Sequence, residues 1–486
     1  MGNISCAVAI LLSLSAACLG QTAPIYPKKN ADEKKTSVLE EIRKIPPLKN
    51  DRGNRRPMIM WEAVSFEPQA AEVYQALLAR GLTQHVQMDA KMIETAKALQ
   101  GAGAPVIMMQ GAGGPFGYDH APGWEHQFDE GYKPWVPDSW WPSSKACPAV
   151  FEGWRVNADG LRDTLRSYRD AGVTVNAVWM DWEGEPMSSA HQGAWENARH
   201  CTRCRQTLPS AVLADSSLWP GYCKRLAQEI LGCYLAAPVR EVFPACSITN
   251  WVTVCATPER PLRGWDDHAG SPATPTMFTA TNPIAYGNDV FFRAAWKADW
   301  KLDGEHVDQL YMHLLLRQVS GNEANAEQLA PQLKAVPWVA RWCPDIGDET
   351  IPMMSCERYR EALRHIWLRG CEGMQVFQPA RAGYAHIVAT ELQDAVAVYD
   401  EMLAYREFLD KGSVLNTDTP AVQDDGVIWS GLRMGGRAVV RTVKQGGGSA
   451  RITIEPFPGK KIKLAATVQG ETRVLILEKD KVRIEQ

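Results

Sequence analysis

Apolar positions in this chain come as short runs separated by stretches with helical spacing, and the two alternate from residue 57 to residue 410. The runs 57–63 (PMIMWEA), 83–88, 105–110 (PVIMMQ), 173–181 (VTVNAVWMD), 246–254 (CSITNWVTV), 307–315, 337–342 (PWVARW) and 373–378 (GMQVFQ) read as eight strands. The stretches 69–80, 91–100, 157–171, 218–242, 324–336, 356–369 and 388–409 predict helices. Gly81 and Gly370 stop two of them, and Asn157 stands where a cap would open a third. Strands alternating with helices pair in parallel, and eight such units fit a (β/α)8 barrel. Two insertions interrupt the pattern: 111–156, dense in Gly, Pro and Trp, and 256–305, which holds Trp265, Trp296 and Trp300. An open doubly wound sheet is the competing architecture. It lacks its usual signature, because no GxGxxG follows the first run and no GxxxxGK[ST] occurs.

The texture changes at both ends. From residue 411 to 486, the runs 427–430, 437–443, 450–454, 461–466 and 472–477 alternate apolar with polar, with glycine turns at 446–448. This predicts a small antiparallel, sandwich-like β domain. Trp429 is its only Trp, so stabilising the barrel is a better reading for it than binding carbohydrate. At the other end, residues 7–19 (AVAILLSLSAACL) form an apolar run too short to span a bilayer. We read residues 1–20 as an export signal and the protein as secreted or periplasmic, without a transmembrane segment. Ser15-Ala16-Ala17-Cys18 also resembles a lipobox, which gives a lipid anchor at Cys18 as the lesser alternative. Residues 21–56 form a polar leader with one short helix near 38–45, stopped by Pro46-Pro47.

Composition narrows the class. The 486 residues are 45% apolar and 22% charged, with a formal charge of -4, which argues against a dedicated nucleic-acid binder. Eighteen Trp against 11 Phe suggests flat stacking surfaces as well as core. Cysteine number fits export: two of the 12 lie in the signal, and structural disulfides are expected for the rest. Cys201-Thr202-Arg203-Cys204 is a lone CxxC. As a zinc site it needs two more ligands, for which Cys223 and Cys233 are the candidates. No HExxH and no GxSxG occurs, so no metal ligand is assigned and no cofactor is expected.

The fourth run carries the chemistry. It ends Trp179-Met180-Asp181-Trp182-Glu183-Gly184-Glu185. Side chains alternate along a strand, so Asp181 and Glu183 share a face, with Cα atoms about 6.6 Å apart. Two carboxyl groups that close push one pKa up, which gives a general acid beside a group that stays ionised. Such a pair suits glycosidic bond cleavage, and barrel enzymes place their catalytic groups at strand C-termini. A solvated acidic loop is the alternative for a bare DxE.

The segment VWMDWEGEP resembles the IDWExWRP segment of hyaluronidases and, more distantly, the end of the DxxDxDxE motif of family-18 chitinases. The stretch RYREALRHIWLRGCEGMQVF is similar to the hyaluronidase region that leads into the last barrel strand. Both families are barrel glycosidases. The resemblance implies that Glu183 is the proton donor and that Asp181 orients a 2-acetamido group of the sugar, which attacks the anomeric carbon. It also implies that Tyr311, in QLYMH, donates a hydrogen bond to the acetamido oxygen. The chain departs from the pattern in several places. Met312 follows Tyr311 where chitinases have Asp. Asn176 and Trp179 replace two motif aspartates, and Phe377-Gln378 stands where hyaluronidases have Trp-Gly. An enzyme that uses a second carboxylate, Glu62 or Asp345, on a sulfated or neutral polysaccharide therefore remains open, as does a non-catalytic glycan-binding barrel. The expected partner is a polysaccharide or glycan. Trp135, Trp140, Trp141, Trp154, Trp182, Trp251 and Trp265 are candidates for stacking on sugar rings. His120, His191, His313 and Arg341 are candidates for its polar groups, although an internal ion pair is the better reading of Arg341.

Overall fold

The computed structural model describes residues 38–61, 66–110, 125–135, 147, 149–180, 192–252, 278–286, 304–329, 334–341, 353–377, 385–418 and 425–485. In chain order the first elements are α1 (Val38–Lys44), β1 (Met58–Met60), α2 (Ala71–Leu78), β2 (Leu82–Gln84), β3 (Val86–Gln87), α3 (Ile93–Gly101), β4 (Val106–Gln110), α4 (Phe151–Asp170) and β5 (Val175–Met180). A helical block follows: α5 (Gln192–Arg199), α6 (Thr202–Thr207), α7 (Ser210–Ala214), α8 (Trp219–Ile230), a π-helical stretch (Leu231–Ala236) and α9 (Ala237–Val242). Then come β6 (Ser247–Val252), β7 (Ala280–Tyr286), α10 (Gly304–Leu329), β8 (Lys334–Ala335), β9 (Trp338–Ala340), α11 (Cys356–Trp367), β10 (Gln375–Val376), α12 (Ala385–Leu403) and α13 (Arg406–Lys411).

All these strands pair in parallel, in the order β2-β1-β10-β9-β7-β6-β5-β4-β3, with β8 beside β7. The two ends of that path, β2 and β3, are consecutive in the chain and separated only by His85. One stave therefore pairs with β1 through its first half and with β4 through its second, and the sheet closes into an eight-stave barrel. Strand alternation sorts the side chains. Met58, Met60, Leu82, Val339 and Val376 face outward onto the helices. Ile59, Ile107, Met109, Ala177, Trp179, Ala280, Val336, Trp338 and Ala340 fill the interior. A polar pair shares that interior, where Gln375 donates from Nε2 to Asn282 Oδ1 at 3.0 Å.

The sixth stave differs from the expectation. Residues 307–315 are not a strand but part of the N-terminal half of α10, and the sixth stave is β7, inside the expected insertion 256–305. The reason is burial on all sides. Val307, Leu310, Tyr311, Met312, Leu314, Leu315, Leu316 and Val319 are all buried, because α10 packs against β7, against α11 and, through Gln309, against the C-terminal domain. A helix buried all round loses its polar stripe and reads as a continuous apolar run. Asn157 is also displaced from its expected role. The helix begins at Phe151, and Asn157 lies buried within it.

The C-terminal domain is a five-stranded antiparallel sheet. It comprises β11 (Ser413–Val414), β12 (Val427–Met434), β13 (Arg437–Lys444), β16 (Glu471–Glu478) and β17 (Lys481–Ile484), with the hairpin of β14 (Ser449–Phe457) and β15 (Lys460–Thr467) packed on it. Its two faces divide the work. Ala438, Val440 and Leu475 meet Ile454, Phe457 and Leu464 of the hairpin. Ile428, Leu432, Val439 and Val443 join the barrel's outer core. In phase with Val439 and Val443, Arg441 reaches α11. Its Nε donates to Glu361 Oε1 at 2.6 Å and its Nη2 to Glu361 Oε2 at 2.5 Å, both side chains being buried. His365 Nε2 lies 3.2 Å from the same carboxylate, and Ser430 Oγ is 2.9 Å from His365 Nδ1 and accepts from Arg369 Nε at 2.9 Å. Burial would raise the Glu361 pKa, but hydrogen bonds from His365 and Arg441 bring it down to about 2. The domain is thus docked by an apolar face with a buried ion pair at its centre.

Candidate functional site

The barrel mouth is the natural place for chemistry in this fold. One residue past β1, Trp61 donates its amide to the Val376 carbonyl at 3.0 Å, and one residue past β10, Phe377 donates to the Val339 carbonyl at 2.9 Å. These bonds extend the parallel ladder and fix both aromatic rings at the C-terminal ends of neighbouring staves. Their centroids lie 5.1 Å apart, and Trp338 sits 4.9 Å from Trp61 and 5.3 Å from Phe377. Trp338 is buried, whereas Trp61 and Phe377 are partly exposed, so the cluster offers aromatic surface at the mouth. The indole N–H groups of Trp179 and Trp338 are buried with no partner among the described residues.

His85 belongs to this cluster, although no motif or spacing in the sequence singles it out. It is the hinge residue of the closing stave, stacked on Trp61 at 5.4 Å and edge-on to Phe66 at 5.6 Å. Burial lowers its pKa to about 4, with a contact to the Met60 backbone working the other way, so it is neutral at pH 7. Its Nδ1 has no partner among the described residues. A neutral imidazole with an open ring nitrogen can exchange a hydrogen bond with a hydroxyl group.

The other expected site residues divide into two groups. Asp181, Trp182 and Glu183 follow β5 directly and lie outside the described residues, as do Glu62, Trp140, Trp141, Trp265, His120, His191, Asp345 and Gln378. Trp251 lies in β6, two residues from Thr249. Phe377 is where it was expected, at the mouth. Tyr311 is not: it is fully buried on α10 in the outer layer, because the run that holds it is helical. Arg341 is 1% exposed, and its Nε donates to the Met354 carbonyl at 2.6 Å while its backbone amide donates to Glu391 Oε1 at 2.5 Å. It faces outward from its stave into the helix layer, so it is a structural arginine and not a substrate anchor. His313 on α10 and Trp154 on α4 are buried in the same layer.

A second constellation lies where two insertions meet. Part of the segment after β4 (residues 125–135) is bound to the helices after β5. Phe128 and Cys201 form a β-bridge, and the Thr202 amide donates to the Gln127 carbonyl at 2.8 Å. Asn197 Oδ1 accepts from the Trp135 amide at 2.9 Å and from the Tyr132 hydroxyl at 3.1 Å, while its Nδ2 donates to the Trp135 carbonyl at 2.8 Å. Arg205 grips Asp129 with two bonds of 2.9 and 2.6 Å. The Trp135 ring packs on Gly193, where a Cβ would come within 2.3 Å of it. Inside this knot, His126, Cys147, Cys201 and Cys204 place one ligand atom each within 4.8 Å of one another. The expected disulfides are not found: no two described cysteines are bonded to each other, and Cys147 Sγ stands 3.8 Å from Cys201 Sγ and 3.5 Å from Cys204 Sγ. Cys223 lies in the surrounding apolar cluster but outside the four, and Cys233 is exposed.

No protein-family model matches this chain, and no curated protein does. Among solved structures it is similar to the glycoside hydrolase domain of PgaB (BpsB) from Bordetella bronchiseptica, with 12% identity over 62% of this chain and 78% of that one and a TM-score of 0.37. A GH30 endoxylanase from Clostridium papyrosolvens C71 shares 9% identity over 88% and 97%, with a TM-score of 0.38. Amy13B of Eubacterium rectale shares 8% over 95% and 100%, with a TM-score of 0.43. Since these TM-scores are all below 0.5, the functional reading rests on the chain's own residues.

Proposed function

We propose that the chain is a glycoside hydrolase that uses Glu183 as proton donor and Asp181 as its carboxylate partner. The observation that supports it most is positional: β5 is a barrel stave ending at Met180, so the DxE begins at the catalytic rim of the fold. Ala177 and Trp179 face the interior, and 181 and 183 continue that alternation in sequence. The aromatic group of Trp61, Trp338 and Phe377 supports a sugar substrate, since the C–H faces of a pyranose pack on such rings. His85 would bind a substrate hydroxyl. The finer reading is substrate assistance on an N-acetylhexosamine. Tyr311, in the outer layer, does not supply the acetamido contact in that reading. The apolar run 7–19 supports action outside the cytoplasm.

The test is reducing-sugar release from hyaluronan, chondroitin, chitin oligomers, a sulfated fucan and a neutral glucan. Glu183→Gln should lower turnover about 100-fold or more while leaving binding in place. Activity confined to acetamido polymers and blocked by a thiazoline mimic supports substrate assistance. Activity only on the fucan or glucan discards it and points to Glu62 or Asp345. Binding without turnover across the panel overturns the enzyme reading in favour of a glycan-binding barrel.

A further inference from the structure

We propose that His126, Cys147, Cys201 and Cys204 bind one zinc ion in a closed tetrahedral site that locks the third and fourth βα insertions together. The inference is independent of the proposed activity. A tetrahedral zinc with Zn–S of about 2.3 Å and Zn–N of about 2.0–2.1 Å sets its sulfurs about 3.8 Å apart and each sulfur about 3.5 Å from the nitrogen. The observed separations are 3.5 and 3.8 Å between sulfurs and 3.8 Å from Cys204 Sγ to His126 Nδ1. The cage is therefore the size of one ion, and it is too wide for an S–S bond of about 2.05 Å. Three thiolates and an imidazole are a soft donor set that favours zinc over calcium or magnesium. All three sulfurs are buried and His126 is partly so.

The surroundings fit a metal site beyond its ligands. Cys201 opens α6 and Cys204 lies in its first turn, so the CxxC is held in a fixed turn. The Gln127 amide donates to Cys201 Sγ at 3.3 Å, the kind of outer bond that steadies a ligating thiolate. His126 stacks on Phe128 at 4.9 Å, which orients its ring. Each ligating thiol releases a proton to solvent as its S–Zn bond forms, giving a site of charge about -1. Four protein ligands leave no open position for water, so the role is structural.

The experiment is elemental analysis of the full chain purified from zinc-replete medium, with the thiols assayed by alkylation without reductant. The expected result is about one zinc per chain, falling more than tenfold in Cys147→Ser and Cys204→Ser. His126→Cys, which keeps four ligands, should retain the ion even if a serine variant fails to fold. Cobalt substitution should give tetrahedral thiolate–cobalt absorption, lost in Cys204→Ser. Less than a tenth of an equivalent of zinc, a disulfide among these three cysteines, or zinc that persists in both serine variants would each overturn the proposal.

Discussion

Arg441→Met tests whether a buried ion pair, and not apolar contact alone, seats the C-terminal domain on the barrel. The substitution keeps the apolar stem and removes two charge-assisted hydrogen bonds, of 2.6 and 2.5 Å, from a carboxylate that is 4% exposed. Such bonds are worth about 1.5–3 kcal/mol each, and breaking a buried pair costs about 3–5 kcal/mol. Arg364 Nη1 remains 3.3 Å from Glu361 Oε2, although its other contacts go to Glu401. The lower end, about 3 kcal/mol, is therefore expected at pH 7. The pH dependence gives the sharper signature. In the wild type the folded pKa of Glu361 lies below its unfolded value, so its contribution is present above about pH 4.5 and is lost as the pH falls toward about 2. In the variant, burial dominates, and either Glu361 or the adjacent His365 takes up a proton in the folded state. The folded state then binds more protons than the unfolded one, so the stability gap to wild type narrows as the pH falls from 7 to 5. Urea unfolding followed by Trp fluorescence at both pH values measures this. Glu361→Leu combined with Arg441→Met should recover more than half of the loss. A single variant within 1 kcal/mol of wild type at pH 7, or a gap that does not change with pH, would refute the reasoning.

Three further outcomes are expected. His85 has a folded pKa of about 4 against 6.5 unfolded, so the unfolded state takes up its proton first and stability falls as the pH drops between those values. His85→Phe should remove about 3 kcal/mol of that pH dependence in urea titrations at pH 7 and pH 4, and an unchanged slope would discard the buried neutral histidine. Asn197→Ala deletes three hydrogen bonds to residues 132–135, which at about 1 kcal/mol each should speed local hydrogen exchange in 125–135 about a hundredfold, leaving the barrel staves protected. Gly193→Ala places a Cβ into the Trp135 ring and should cost about 1–3 kcal/mol in the same segment, read by limited proteolysis, because the indole must leave its seat on α5.

The barrel was legible because seven of its staves are short apolar runs bounded by turn residues, and β1, β4, β5, β6, β9 and β10 fall within the predicted windows. The sixth was not. β7 (ATNPIAY) carries Thr, Asn and Pro, because Asn282 has its polar partner inside the barrel in Gln375, while the apolar segment 307–315 belongs to a helix with no exposed stripe. That single exchange moved Tyr311 from the mouth to the outer layer. Arg341 illustrates a different limit, since a stave residue can face either way and only the carbonyl of Met354 shows which. The metal-binding set was half visible. Cys201 and Cys204 announced themselves by spacing, but His126 and Cys147 lie more than fifty residues earlier and are joined to them only by tertiary contacts such as the Phe128–Cys201 bridge. Their one local signal was position, a His and a Cys within the insertion that precedes α4.

The knot between residues 125–135 and α5–α6 also bears on how such a protein can diverge. Asn197, Asp129 and Arg205 each serve one insertion with atoms of the other, so neither insertion retains a complete set of partners alone. The two should therefore behave as one heritable unit. Relatives that shorten the loop after β4 should shorten the one after β5 as well, and grafting either onto a plain barrel should fail where grafting the pair succeeds. The rim on that side of the mouth would then vary between relatives in a single step, with the staves beneath it unchanged.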